Sequence, residues 1–321
     1  MRAAVIKEFG PPEVLATTEV PAPHATGDEA LIAASFANVT FVETQIRAGR
    51  PPHPSMLPPL PAILGNGVGG VVTAVGPSGD PELVGRTVVA SLSGSGGYAE
   101  QAVTAAARLI PVPDGVTMRD AVALLADGRT AMSLLRRADV REGDTVVIEA
   151  AAGGVGTLLI QLARNAGARV VALAGGDRKL TLAADLGADV TVDYRTGDWS
   201  SRVRDAVGAA DVVFDGVGGD VGAAAFRLLR PGGRFCPFGM ASGGAAPVTA
   251  DIARAARVDV RGGGPMSPEE SVSLSRAALD EAAAGRLRPV IGQEHPLADA
   301  AAAHAAIEAR ATVGKTLLTV A

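Results

Sequence analysis

Two textures of apolar and polar residues divide the chain. From the N-terminus to about Pro113, short apolar runs alternate with Gly and Pro: Ala3 to Ile6, Glu29 to Ala34, Val68 to Val75, Thr87 to Leu92 and Tyr98 to Val103. Runs of that length, closed by turn formers, predict the strands of a compact β-rich module. The proline-rich segment Arg50 to Pro61 predicts an irregular surface loop, because proline lacks the N–H that a ladder or helix interior needs. Near Val116 the period changes. Apolar positions from Asp120 to Ala138 recur at helical spacing, and strands and helices then alternate. Val146 to Ile148, Arg169 to Ala174, Val190 to Asp193, Asp211 to Asp215 and Gly233 to Phe238 read as strands. Thr157 to Asn165, Leu180 to Leu186, Trp199 to Val207 and Gly222 to Leu229 read as helices. Repeated β-α units predict an α/β fold with a doubly wound parallel sheet. Beyond Val258 to Val260 the pattern loosens into two Ala-rich helices, Pro268 to Ala284 and Asp299 to Ala309, and a last strand, Lys315 to Val320. This tail is expected to return to the first module.

The turn between the first parallel strand and its helix carries the first chemical signal. Gly153 and Gly156 occupy the second and third glycine slots of the dinucleotide fingerprint, with Ala151 in place of the first. Gly153 has no Cβ to hold a pyrophosphate off the backbone, and Gly156 lets the helix pack closely on its strand. Free N–H groups of the first helical turn, those of Gly154 and Val155 among them, then face the phosphates with the positive end of the helix dipole. An NAD-binding chain usually places Asp or Glu at the tip of the second strand. Here Ala174, Gly175 and Gly176 stand at that tip, followed by Asp177, Arg178 and Lys179. Small residues beside two cations suit a ribose 2′-phosphate, so the expected cofactor is NADP(H). The same charges also fit a solvated cluster with Asp177 capping the next helix.

Composition narrows the class. At 321 residues the chain is long enough for two domains. A net charge of -5 offers no basic footprint for nucleic acid. The single cysteine, Cys236, excludes an internal disulfide and a cysteine-cluster zinc site, and suits a reducing compartment. No apolar run approaches a membrane span, and Met1 to Lys7 reads as a strand and not as a leader, so a soluble cytoplasmic protein is expected.

Several separated motifs occur in a fixed order: Thr44 to Gly49 (TQIRAG), Ala150 to Gly156 (AAAGGVG), Asp193 to Arg195 (DYR), Asp215 to Gly219 (DGVGG), Pro231 to Arg234 (PGGR) leading to Phe238 and Gly239, then Pro296 to Ala300 (PLADA), His304, and Gly314 with Lys315. With them the chain resembles the medium-chain dehydrogenase/reductase superfamily over nearly all its length. Within it, the zinc-independent, zeta-crystallin-like quinone oxidoreductases are most similar. The resemblance implies a GroES-like β-rich catalytic domain at 1–117 and 265–321, a Rossmann NADP(H)-binding domain at 118–264, and a cleft for cofactor and substrate. It implies Lys179 and Tyr194 on the 2′-phosphate, in the turn that carries Gly175 and Arg178. Thr130 is expected near the nicotinamide ribose and amide, Val217 against the adenosine, and Phe238 and Gly239 along the nicotinamide half. Family members often pair edge strands across a two-fold, which makes Val258 to Val260 the expected seam of a homodimer.

Zinc-dependent relatives carry a Cys after an early strand, a His in a G-H-E segment and a third ligand before the helix into the Rossmann domain. Those places hold Thr40, Asn66 and Ala126, and the four-cysteine structural lobe is absent, so no metal site is expected. His24, His53, His295 and His304 are scattered and read as surface or helix-facing residues. Without a Lewis acid, dehydrogenation of a simple alcohol is disfavoured. Hydride delivery to an electron-poor conjugated system needs only alignment, a hydrogen bond to the oxygen and exclusion of water. Thr40, Gln45 and Asn66 match family positions facing the nicotinamide or substrate; their alternative role is to bond loop backbone. Arg129 is a further candidate for an anionic oxygen. Met132 stands where some relatives have a tyrosine, so water is the expected proton source. The leading expectation is an NADPH-dependent reductase of a quinone or enone, with the Arg47 to Leu60 loop shaping the pocket mouth. An enoyl-thioester reductase, and an NADPH-binding structural or regulatory protein, are the alternatives.

Overall fold

The computed structural model describes residues 1–92, 94–264 and 266–320. The expected domain limits at Pro265 and Ala321 lie outside the described residues. The chain divides into two compact units, one formed by Met1–Arg129 with Ser267–Ala321 and the other by Thr130–Met266.

The first unit opens with β1 (Arg2–Ile6), β2 (Ala16–Glu19), β3 (Glu29–Val39), α1 (Phe41–Arg47), β4 (Ala62–Ile63), β5 (Gly67–Val75), β6 (Thr87–Ser91), β7 (Gln101–Ala105) and β8 (Leu109–Pro111). The division between the units falls inside α2 (Met118–Ala138). β2, β1 and β4 make a small antiparallel sheet. β3 is the spine of a larger one: its first half pairs with β7, and β5 runs along its other edge. The glycines of β5 make room for its neighbours. A Cβ on Gly69 would stand 2.3 Å from Val122 of α2, and one on Gly70 would stand 1.9 Å from the carbonyl oxygen of Ala33. Ile6, Ile32, Leu64, Val68 and Leu318 join one apolar core there.

The second unit alternates strand and helix: β9 (Thr145–Ile148), α3 (Gly154–Asn165), β10 (Arg169–Ala174), α4 (Asp177–Asp185), β11 (Val190–Asp193), α5 (Trp199–Val207), β12 (Ala210–Asp215), α6 (Gly219–Phe226), β13 (Leu229–Pro237), α7 (Ala250–Ala256) and β14 (Asp259–Val260). The sheet is parallel with order β11-β10-β9-β12-β13-β14, the doubly wound arrangement whose topological switch lies between β9 and β12. Val146, Val147 and Ile148 are completely buried, as a strand covered on both faces requires. The tail supplies α8 (Pro268–Ala283), β15 (Ile291–Pro296), α9 (Ala300–Glu308) and β16 (Lys315–Thr319) to the first unit. There β16 pairs with the second half of β3.

Several boundaries differ from the sequence reading. The expected strand at Tyr98 begins only at Gln101. Tyr98 instead lies in the preceding connection, where its N–H bonds Leu64 O. The helix expected over Gly222 to Leu229 is α6, three residues earlier, because Leu229 pairs with Ala210 and opens β13. The helix expected from Leu180 begins at Asp177. α1, α7, β2, β4, β8 and β15 were not legible, being short or irregular in pattern. The Arg50 to Pro61 loop contains one 3-10 turn, Pro54–Met56, whose first free N–H is accepted by His53. His304 is a correction of another kind: it faces no solvent but is completely buried.

Candidate functional site

The glycine turn after β9 leads directly into α3. Gly153 is the N-cap of α3, and no side chain caps that helix. Gly156 is sterically required: a Cβ there would stand 2.4 Å from Ala150 O and 2.8 Å from Ala151 Cα. Gly153 is looser, with Ala150 O at 3.2 Å from a hypothetical Cβ. Ala150 itself takes a left-handed φ of 47°, a strain of the kind that concentrates at functional turns.

At the tip of β10, Gly176 has φ 93° and donates its N–H to Asp193 Oδ2 at 3.1 Å. Asp193 ends β11 opposite Ala174. Its carboxylate receives Arg195 Nε at 3.0 Å and Nη2 at 2.6 Å, and these bonds hold its pKa down to about 2. The Arg195 side chain lies over the glycine turn, with Cδ 3.1 Å from a Cβ position on Gly175 and Nη2 3.1 Å from one on Gly176. Lys179 is in the first turn of α4, half-buried, its backbone N–H bonding Gly176 O at 3.0 Å, whereas Arg178 is exposed. Tyr194 packs against the apolar core of this unit. The structure thus gathers Gly175, Lys179, Tyr194 and Arg195 at one strand tip. In the sequence Arg195 stands only as the end of the Asp193-Tyr194-Arg195 motif, and that Asp193-x-Arg195 spacing is the signal for it.

Across the topological switch, Val217 is buried, and its N–H is shared by Glu149 Oε2 and Asp215 Oδ1, each at 3.1 Å. Phe238 and Gly239 both donate N–H to Asp215 O, and a Cβ on Gly239 would stand 2.5 Å from Gly216 O. The turns after β12 and β13 therefore meet glycine against glycine. Thr130 lies in α2, half-buried.

Two of the three pocket candidates of the first unit, Thr40 and Asn66, converge on a residue absent from the sequence reading, Glu43. Thr40 caps α1 by accepting from Glu43 N, while Glu43 Oε2 accepts Thr40 N at 2.6 Å and Thr40 Oγ1 at 3.0 Å, a full capping box. Glu43 Oε1 accepts Asn66 N at 2.7 Å, and the Asn66 side-chain oxygen accepts Gly94 N at 2.9 Å. Thr40 and Asn66 are thus brought together through one buried carboxyl. Gln45 points elsewhere, its amide donating to Thr44 Oγ1 at 3.1 Å. Tyr98 OH completes the shell, 3.1 Å from Glu43 and 3.0 Å from His304 Nε2. Burial pushes the Glu43 acid above the ordinary glutamate range, against the pull of its Thr40 and Asn66 donors and of the Lys315 charge. Signals for this cluster existed in the Thr40-x-x-Glu43 spacing, but not for its distant members. Arg129 donates to Ser271 Oγ at 3.0 Å, and burial lowers its pKa. The zinc positions of the wider family do not fit a metal here: Thr40 is committed to its cap, Asn66 to Gly94, and Ala126 has no side-chain donor atom.

Comparison with known proteins bears on the family and the fold. The profile of the alcohol dehydrogenase GroES-like domain matches residues 26–114, and that of zinc-binding dehydrogenases matches 154–271. A 2-haloacrylate reductase of a Burkholderia species is 32% identical over 98% of each chain. A quinone oxidoreductase of Salmonella typhimurium is 32% identical over 97% of each. Among solved structures, the Escherichia coli quinone oxidoreductase complexed with NADPH superposes over the whole of both chains with a TM-score of 0.92 at 28% identity. A mycobacterial protein complexed with NADPH gives 0.90 at 35%, again over both chains in full. The chain belongs to the medium-chain dehydrogenase/reductase superfamily, in its quinone oxidoreductase family.

Proposed function

We propose that this protein is an NADPH-dependent reductase that adds hydride to a conjugated carbonyl, a quinone or an α,β-unsaturated carbonyl compound. The observation that carries the reading is the tip of β10, where Arg195 and Lys179 border a glycine turn and no acid stands at the end of the strand itself. The residues fit the dinucleotide: the uncapped first turn of α3 suits the pyrophosphate, and Lys179, Tyr194 and Arg195 suit the 2′-phosphate. Thr130, Val217, Phe238 and Gly239 would border its remaining parts. Once bound, the cofactor supplies a hydride. The protein's share is to orient, to exclude water and to offer a hydrogen bond where negative charge develops. The side-chain amides of Asn66 and Gln45 are the candidates for that bond, Asn66 being fixed through Glu43; the Thr40 hydroxyl, which donates to Glu43, has its role in holding that carboxyl. The names of the relatives, quinone oxidoreductase and 2-haloacrylate reductase, support an acceptor with a carbonyl conjugated to a double bond.

No helix among the described residues is long and apolar enough to cross a membrane. β14 is the outermost strand of its sheet and exposes Val260 by 44%, which supports pairing of that edge with a second copy. Sedimentation of the purified protein tests this: a monomer at working concentration contradicts it. For the activity, NADPH oxidation is followed with a benzoquinone, a naphthoquinone, an enone, a 2-haloacrylate and an enoyl-CoA, and repeated with NADH. Turnover of a quinone, enone or haloacrylate with preference for NADPH supports the reading. Tight NADPH binding with no turnover of any of these refutes it, and turnover confined to enoyl-CoA overturns the quinone or enone acceptor in favour of a thioester.

A further inference from the structure

Two carboxyl side chains lie buried together beneath the dinucleotide turn. Glu149 follows β9 and Asp215 closes β12, adjacent strands whose register sets Ile148 opposite Phe214; Glu149 N donates to Phe214 O at 3.0 Å. Both residues are completely buried. Asp215 Oδ1 accepts Val217 N at 3.1 Å and Gly218 N at 2.6 Å, and Glu149 Oε2 accepts Val217 N. The remaining oxygens, Glu149 Oε1 and Asp215 Oδ2, receive no donor, although the two carboxyls contact one another. α6 closes over the pair: a Cβ on Gly222 would stand 2.6 Å from Asp215 Oδ2. Among the described residues, no cation acts on the Glu149 carboxyl. Asp220 of α6 is exposed, Arg169 and Arg234 belong to the amino-terminal parts of their pairings with β9 and β12, and the Cys236 thiol on β13 stays protonated.

Two ionised carboxylates in contact and out of water repel each other and lose their hydration, and each would keep one unsatisfied oxygen. A single proton removes all of these costs at once. We propose that Glu149 and Asp215 share one proton, carried on Glu149 Oε1 and donated to Asp215 Oδ2, and that this bond clamps the turn Gly216–Gly219 to the glycine turn that follows Glu149. Asp215 then remains an anion with three donors: Val217 N, Gly218 N and the Glu149 hydroxyl. Burial and the Asp215 charge push the Glu149 acid up to about 10, so the clamp is closed at neutral pH. The pair positions cofactor-binding backbone and touches no reacting atom.

The role assigned to the clamp rests on the dinucleotide reading of the glycine turn, whereas its proton is detectable without cofactor. Infrared difference spectroscopy of the full-length protein at pH 8, wild type against Glu149→Gln, is expected to show a protonated carboxylic-acid band that the variant loses. In fluorescence titrations with NADPH, Glu149→Gln keeps the wild-type affinity within about twofold, because its amide donates to Asp215 and accepts from Val217 N, whereas Glu149→Ala weakens binding by about tenfold or more. The proposal is overturned if no acid band is lost, or if Glu149→Ala binds NADPH as tightly as wild type. Failure of NADPH to bind any of the three, with the acid band present, overturns the cofactor reading and the clamp's role in it, but leaves the shared proton standing.

Discussion

Asp193 holds Arg195 over the Gly175–Gly176 turn, through Nε at 3.0 Å and Nη2 at 2.6 Å, so one anion at the tip of β11 presents a cation to the tip of β10. A Cβ at either glycine would press the arginine side chain at 3.1 Å, and the φ of 93° at Gly176 favours glycine in its own right. Left bare, the same aspartate would repel a phosphate and suit a ribose hydroxyl. Arg195→Ala is therefore expected to lower kcat/KM for NADPH by about tenfold while sparing or improving NADH, since a charge-assisted contact is lost and an acid is uncovered. Kinetics with the two cofactors check this, and an unchanged NADPH-to-NADH ratio contradicts it.

The two fingerprint glycines are expected to fail differently. Gly156→Ala drives a Cβ to 2.4 Å from the carbonyl oxygen of Ala150, a backbone atom with no rotamer to move to, and costs about 3 kcal/mol, the upper part of the usual range for overpacking. Gly153→Ala has an ordinary extended φ of -81° and only a 3.2 Å contact, so the fold survives within about 1 kcal/mol while NADPH binding weakens. Thermal melts and binding titrations of both variants separate the two effects. Equal melting losses would show that Gly153 is structural.

His304 should make the protein acid-sensitive. Burial, and secondarily the Arg47 charge, press its pKa down to about 3, so it is neutral in the folded state above that pH. Unfolded, it protonates near the ordinary histidine value of 6.5. Between those two values the unfolded chain binds the extra proton, and stability falls as pH falls, by at most about 1.4 kcal/mol per pH unit for this group. In urea unfolding between pH 6 and 4, His304→Gln is expected to lose that part of the slope. An identical slope in the variant would show that His304 titrates normally.

Cys236 is completely buried on β13, and burial pushes its thiol up to about 12. Neither thiolate nor access is available in the native state. A chromogenic disulfide reagent is therefore expected to react only as the protein unfolds, with activity untouched beforehand. Rapid native labelling at neutral pH would rule this out.

Local pattern determined much of this protein. The β-branched runs Val146 to Ile148 and Arg169 to Ala174, the glycines at 153 and 156 and the alternation after β9 declared a doubly wound sheet with a glycine turn between its first strand and helix, because a strand buried on both faces admits few polar residues. The Thr40-x-x-Glu43 cap was equally local. Tertiary structure decided what those elements enclose. Tyr98 meets Glu43 across 55 positions and His304 across 206, and no periodicity encodes which distant side chain supplies a buried donor. Arg195 acquired its place from the neighbouring strand, and Glu149 met Asp215 only because β9 and β12 pair. The sequence by itself carries hydrophobic period and backbone freedom, which are properties of neighbours along the chain. Charge state and hydrogen-bond partnership depend on desolvation by distant residues, and only the folded chain sets that.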